Sequence, residues 1–412
     1  MRFNALLWRS RVWSGVCIAL TFCPQPAHAD SVVDFLAAGH VLLDTRYRYE
    51  SVDQNGFSNN ANANTVRERL GYQTAPISDL TALIDLQATQ HLSNTFNDTI
   101  NGRTSYPQIP DPEAFELNRL QLTYTGVPDL TATIGRQVIN LGDQRFIGAS
   151  AFRQNEQTFD AARLDYTGLA GFTATYVYID RVNRVFGDRS AVGHFDGNIQ
   201  LFNLGYDISG VGKFTAYSYL LDLDHNSLLS TATYGLQFVG TAPLIDELGL
   251  HYTAGYARQA PYAQNPENFG LDYWRLEGGF DYENWSLTAG SEVLDGNGII
   301  GFSTPLATLH AFQGDADVFL TTPPQGIADR YAKLGYQTNF FLLDASRKLT
   351  LTTWYHSFDA DQGSSTLGHE FDFDAAVEIN KHWRLDAAYA TYNGTAGFAS
   401  RSKTWLSLTV SY

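Results

Sequence analysis

The chain has 412 residues and carries 43 Asp and Glu against 27 Lys and Arg, a formal net charge of −16 at pH 7. That balance argues against a nucleic-acid-binding surface, which needs a basic face. Both cysteines, Cys17 and Cys23, lie close to the amino end, while aromatic residues reach 14% and glycines number 35.

At the amino end, Arg2, Arg9 and Arg11 precede an apolar run from Val12 to Phe22 and a small-residue site at Ala27-His28-Ala29. This is the pattern of a secretory leader. A membrane-spanning helix needs about 20 apolar residues, and Pro24, Gln25 and Pro26 interrupt the run. The expected organisation is therefore a leader over 1–29 and one domain over 30–412. Cleavage would remove both cysteines, which excludes disulfides and cysteine-ligated metal from the mature chain.

Beyond the leader, apolar and polar residues alternate with period two in segments of about ten residues, broken by Gly, Asn, Asp and Pro. This is the signature of a transmembrane β-barrel. Strands are expected near 39–51, 64–75, 80–91, 114–126, 129–139, 157–168, 171–183, 197–209 and 212–225. The second half continues with 229–241, 246–259, 270–283, 285–296, 330–342, 347–360, 367–380, 382–393 and 400–412. The fold class is all-β, an antiparallel barrel of about 18 strands. In the last strand Leu406, Leu408, Val410 and Tyr412 share one face, and the chain ends on an aromatic.

The connections sort by parity. Those after even-numbered strands are tight, as in TGVPD (125–129), SGVG (209–212) and NKHW (380–383), whereas 92–113, 140–156, 184–196 and 297–329 follow odd-numbered strands. Bacterial barrels alternate short periplasmic turns with long external loops in this way. Both termini are then expected in the periplasm, with the domain in the bacterial outer membrane.

If the apolar phase meets lipid, the other phase lines the lumen. It sends Asp44, Arg46 and Arg48 inward from LDTRYRY, and Arg67 and Arg69 inward from VRERLGY. The same rule gives Arg119, Arg163 with Asp165, Arg275 with Glu277, Lys333, then Asp372, Asp374, Glu378, Arg384 and Asp386. A lipid-facing Arg or Lys costs about 2–4 kcal/mol at the midplane, which favours this phase and a charged, wet interior. Barrel closure brings the acidic strand 16 near the basic strand 1. Gly135–Glu156 reads as a strand tip and a long loop whose Arg145 and Arg153 either donate to a passing solute or tie the loop to the wall.

The stretch IGRQVINLGDQRFIG…FRQNEQTFDAARLDY (134–166) resembles the alginate export family of outer-membrane porins. TPLATLHAFQGDADVFLTTPPQGIADRYAKLGY (304–336) is similar to that family's long late loop and following strand, and VRERLGY (66–72) to its second strand. The resemblance implies an 18-stranded monomeric barrel whose positively charged pore passes an anionic polyuronate. It also implies that Arg46, Arg48, Arg67, Arg69, Arg119, Arg136, Arg145, Arg153, Arg163 and Asp160 lie on or near the pore path. Arg136 shares the phase of Ile134, so a bulge or the strand end must turn it inward.

The functional expectation is a channel for an anionic solute, an acidic polysaccharide such as alginate or a related oligomer. The alternatives are a porin for small carboxylates or sugars and a barrel hydrolase. No G-x-S-x-G, H-E-x-x-H or P-loop pattern occurs, so an enzyme is not expected, nor is a cofactor or metal. Expected partners are outer-membrane lipid, the solute itself and the barrel insertion machinery, with room for a periplasmic partner.

Overall fold

A single antiparallel sheet of 18 strands closes on itself in the computed structural model, which describes residues 37–412 apart from 246, 343–344 and 396. The expected leader over 1–29 lies outside the described residues. The strands are β1 (His40–Gln54), β2 (Ala61–Gln73), β3 (Leu80–His91), β4 (Ala114–Val127), β5 (Leu130–Gln137), β6 (Thr158–Tyr166), β7 (Phe172–Asn183), β8 (His194–Ile208) and β9 (Gly212–Leu223). They continue with β10 (Thr231–Ile245), β11 (Leu248–Pro261), β12 (Leu271–Tyr282), β13 (Trp285–Leu294), β14 (Ile327–Leu342), β15 (Ala345–Asp359), β16 (Thr366–Glu378), β17 (Trp383–Gly394) and β18 (Arg401–Ser411).

Each strand pairs with its neighbours in sequence, and β1 pairs with β18 from Asp44↔Ser411 to Gln54↔Arg401. Closure leaves no edge, which satisfies every ladder group where no water is at hand. All 18 expected strands are present in order. Some run further than expected because pairing continues past the alternating pattern: β2 begins at Ala61 opposite Val52, and β14 begins at Ile327 opposite Leu294.

The wall alternates as a membrane barrel should. On β1, Leu43 and Tyr47 are exposed on the outside while Arg46, Arg48 and Glu50 are buried inside. Val41, Leu70, Ile84, Leu120 and Leu122 extend the outer apolar face to the neighbouring strands. Near the short-turn end Phe172 packs on Tyr206 and Trp285 on Tyr336, an aromatic girdle of the kind such barrels place at a membrane interface.

The interior departs from the uniformly charged, wet lumen read from alternation. In the half of the barrel nearer the long loops, the inward faces of β7, β8 and β9 present Val177, Ile179, Ile199, Leu201, Tyr219 and Leu221, all buried. The loop after β5 covers them with Ile139, Leu141 and Ile147, and Leu306 of the loop after β13 joins the cluster. A second apolar cluster forms where Phe302, Ala316 and Phe319 of that later loop meet Phe358, Leu367, Tyr392 and Trp405 of the wall. Both long loops thus fold into the barrel and supply the hydrophobic core that a membrane barrel otherwise lacks.

Candidate functional site

What the barrel leaves open between these loops is a sequence of adjoining cavities. At the long-loop end lies one of about 370 Å³ lined by Arg184, Phe195, Leu229, Phe302 and Leu309 among others. It adjoins a waist of about 90 Å³, with which it shares Arg184, Pro305, Leu309 and Leu320. The waist shares Phe152 and His310 with a third cavity of about 460 Å³ toward the short-turn end.

The third cavity carries both signs of charge. Arg46 and Arg48 of β1 and Arg384 of β17 line it together with Asp315, Asp374 and Asp386, Arg384 pairing with Asp386 on its own strand at 2.8 Å, and Trp405, Ser407 and Thr409 of β18 lie among them. This is the meeting of basic and acidic strands that closure was expected to produce.

Two side-chain networks hold the waist. In the first, Arg153 Nη2 meets Asp317 Oδ2 at 2.6 Å and Arg153 Nη1 meets Glu50 Oε2 at 3.4 Å. Lys403 Nζ joins both carboxylates, at 2.5 Å to Asp317 and 3.3 Å to Glu50. Two cations and two anions close a neutral ring of four buried groups, which is how a buried charge avoids a desolvation cost of several kcal/mol per ion. The ring ties both loops to β1 and β18. Burial alone would raise the Asp317 carboxyl, but Lys403, His310 and Arg153 together pull it well below the usual carboxylate range. In the second network Arg145 Nε contacts Glu292 Oε1 at 2.8 Å, and its Nη2 donates to Gln313 Oε1 at 3.1 Å. Tyr273 and Gln313 donate to the same Glu292 carboxylate.

Each candidate side chain can now be located. Arg46 donates to Gln154 Oε1 at 2.9 Å, to the Ala151 carbonyl at 3.1 Å and to the Arg153 carbonyl. Arg48 donates to the Phe152 carbonyl, lies 4.2 Å above the Phe152 ring and stands 3.7 Å from Asp111. Phe152 in turn stacks on His310 at 3.5 Å. Arg67 pairs with Asp44, Arg69 with Glu156 at 3.1 Å, and Arg119 with Asp85 at 2.8 Å. Arg163 pairs with Asp165 at 2.7 Å on the inner wall near the short turns. Arg275 bridges Asp143 and Glu277, both at 2.8 Å. Lys333 sits 4.4 Å over the Trp354 ring, and among the described residues no carboxylate lies within 4 Å of it.

Four of the expected pore residues change meaning. Arg145, 2% exposed, and Arg153, 7% exposed, are each held by buried carboxylates that tie their loop to the wall and to the later loop, and Arg153 also lines the waist. Asp160 lies between Phe159 and Ala161, which point into the inner apolar cluster, so it faces the outer side of the wall. Arg136 pairs with it there through hydrogen bonds of 2.7 and 2.9 Å. Gly135, at φ +113°, brings its backbone so close to the Leu120 carbonyl that a Cβ would lie 2.2 Å away. The irregularity at this strand end therefore does not turn Arg136 into the pore.

Sequence reasoning missed Glu50, Lys403, His310, Phe152 and Trp405. For Glu50 and Lys403 a signal existed, since each continues the inward phase of its strand. For the loop residues none did, because a loop has no alternation to read.

With this geometry in place, the comparisons can be weighed. The family model for alginate export matches residues 40–179. The resemblance read in the sequence stands, with 66–72 and 134–166 inside the match and 304–336 beyond it. Those residues include β1 to β6, the first two thirds of β7, and the inward loop after β5. A search of the curated proteins found no match by sequence. Among solved structures, the chain is similar in fold to Acinetobacter baumannii OccAB2, with a TM-score of 0.71, 15% identity, and 92% of this chain and 98% of that one covered. A BenF-like porin from Pseudomonas fluorescens aligns with a TM-score of 0.72 at 13% identity, over 92% and 99% of the two chains. Pseudomonas aeruginosa OpdK, solved with vanillate, gives 0.68 at 11% identity over 92% and 99%. The fold is that of an outer-membrane porin barrel.

Proposed function

We propose that this protein is a bacterial outer-membrane channel for small organic anions, with the short turns and both termini in the periplasm. The observation that carries this reading is the waist of about 90 Å³ beside a cavity lined by Arg46, Arg48 and Arg384. Two buried networks clamp the loops around that waist, which suits molecules passing singly better than a continuous polymer. The neighbouring Asp315, Asp374 and Asp386 would let a solute shed its water among donors and acceptors, as selective channels require. The vanillate in the OpdK structure supports a carboxylate as the solute class.

A second reading, passage of an acidic polysaccharide such as alginate, is favoured by the family match over residues 40–179. Under either reading Arg384 and Lys333 are the cations free to meet a solute, Arg46 and Arg48 line the path while tying the loop after β5, and Arg67, Arg69, Arg119, Arg163 and Arg275 set the charge of the wall through their pairs.

The test is the reversal potential of the purified protein in a planar bilayer under a salt gradient, repeated with a small carboxylate or an oligouronate on one side. Anion selectivity with block by the small carboxylate alone is expected. Block by the oligouronate would favour the polysaccharide, and cation selectivity would overturn both readings.

A further inference from the structure

The cavity at the long-loop end is unlike the other two. It is about 370 Å³, within the roughly 300–1,000 Å³ typical of small-molecule sites. Leu228, Leu229, Phe269, Ile300, Phe302 and Leu309 make its walls largely apolar. Into that setting the loop after β7 brings one cation, Arg184.

Arg184 is also unlike the other arginines of the passage. Arg145 and Arg153 are held by buried carboxylates, and Arg46 by a side-chain amide and two loop carbonyls. Arg184 has no carboxylate within 4 Å among the described residues. It makes one side-chain hydrogen bond, from Nη1 to the Val192 carbonyl at 2.9 Å. Its guanidinium lies 4.2 Å from the centre of the Phe195 ring and 4.7 Å from that of Phe186, so two aromatic faces fix its direction. Burial without a compensating anion pushes its pKa down to about 10. A guanidinium carries five N–H donors, and most of these are unspent.

We propose that this cavity is a capture site for a monocarboxylate with an apolar body, an aromatic or medium-chain acid, whose carboxylate pairs with Arg184 while its body rests on Leu228, Leu229 and Phe269. The proposal rests on the channel reading and narrows its solute class. The guanidinium fork matches a carboxylate in a two-point contact, and removal of water from the cavity strengthens it. A sugar acid fits less well, because the hydroxyls of Thr231, Ser303, Thr304, Thr321 and Thr322 and the Gln259 amide are the polar side chains the cavity offers besides Arg184, and a ring hydroxyl turned instead toward leucine or phenylalanine loses a hydrogen bond. Arg184 lines both this cavity and the waist, so a captured acid stands at the entrance to the path past Phe152 and His310.

The experiment is calorimetric titration of the full detergent-solubilised barrel with benzoate, octanoate and glucuronate, alongside chloride conductance of the same preparation. Benzoate and octanoate are expected to bind and glucuronate to bind at least about tenfold more weakly. Arg184→Gln should weaken benzoate by about tenfold or more, with Arg184→Lys retaining part of the affinity. Phe269→Ser should weaken both apolar acids by removing part of the apolar lining on which their bodies rest. Heat-modifiable migration on gels reports that each variant is folded. Equal affinity of wild type and Arg184→Gln for benzoate, or equal binding of glucuronate and benzoate, would overturn the proposal. If wild type conducts chloride selectively but binds neither apolar acid, the capture site fails and the channel reading stands. If chloride selectivity itself is missing, the channel reading fails.

Discussion

Arg153, on the loop after β5, meets Asp317, on the loop after β13, at 2.6 Å in the interior of the barrel, 164 residues apart in the chain. Because Lys403 of β18 binds the same Asp317 oxygen and Glu50 of β1 binds Arg153, neither loop can withdraw without leaving buried charge unpaired. The ring therefore holds both loops at the waist.

Breaking that ring should open the waist. Removing one member of a buried ion network costs roughly 3–5 kcal/mol, and here the cost falls on loop docking rather than on the strands, whose ladders remain intact. Arg153→Gln should give larger single-channel conductance and faster external proteolysis of the loops, while the heat-modifiable barrel persists. Unchanged conductance and protease resistance would show that apolar packing alone holds the loops.

Selectivity should follow a different set of arginines. Arg384 is half exposed beside Asp386 and lines the cavity of mixed charge, so it is free to meet ions without anchoring a loop. Arg384→Gln should shift the reversal potential toward cations with little change in conductance. Arg163→Gln, near the short turns and away from that cavity, should shift it less; an equal shift would mean that overall wall charge sets selectivity.

The strands were legible in the sequence, and the loops were not, for a common physical reason. Period-two alternation reports which side of a wall a residue occupies, and it located Arg46, Arg48, Arg67 and Arg69 inside the barrel. It could not locate the apolar inner face of β7 to β9, because TATYVYID and IQLFNLG are apolar in both phases once a loop covers the inside. Nor could it distinguish Arg145 as a tie from Arg145 as a donor, since that depends on Glu292, 147 residues away. Asp160 was misplaced for the opposite reason: the resemblance overrode an alternation that already set it between Phe159 and Ala161.

Gly314 gives an independent handle on the same loop. It holds φ +81°, and an added Cβ would lie 2.4 Å from the Glu370 carboxyl carbon, so the loop backbone rests flush on β16. The Ala316 N–H next to it donates to Glu370 Oε1 at 2.6 Å. Gly314→Ala should displace this turn at a cost of about 1–3 kcal/mol and raise conductance in the direction of Arg153→Gln. A conductance equal to wild type would mean that the turn shifts without reaching the waist.

The pH dependence of the waist should have two opposed arms. Asp315 is raised well above the usual carboxylate range, first by burial and then by Asp374, Asp372 and Asp317, with His356 only partly offsetting them. A carboxyl raised in the docked loop contributes fully below its ordinary value near 3.8, and that contribution is lost as pH rises through the docked value. Asp317 runs the other way: its depressed carboxyl supports docking above the ordinary value and ceases to do so as pH falls through the lowered one. Docking should then be tightest near the ordinary carboxylate value, with conductance increasing as pH rises through the docked value of Asp315 and again in strong acid as the ring loses Asp317. Asp315→Asn, which fixes the neutral form, should flatten the upper arm and leave the acid arm in place. Single-channel recording against pH tests both, and an upper arm that survives Asp315→Asn would assign the titration to the carboxylates of β16 instead.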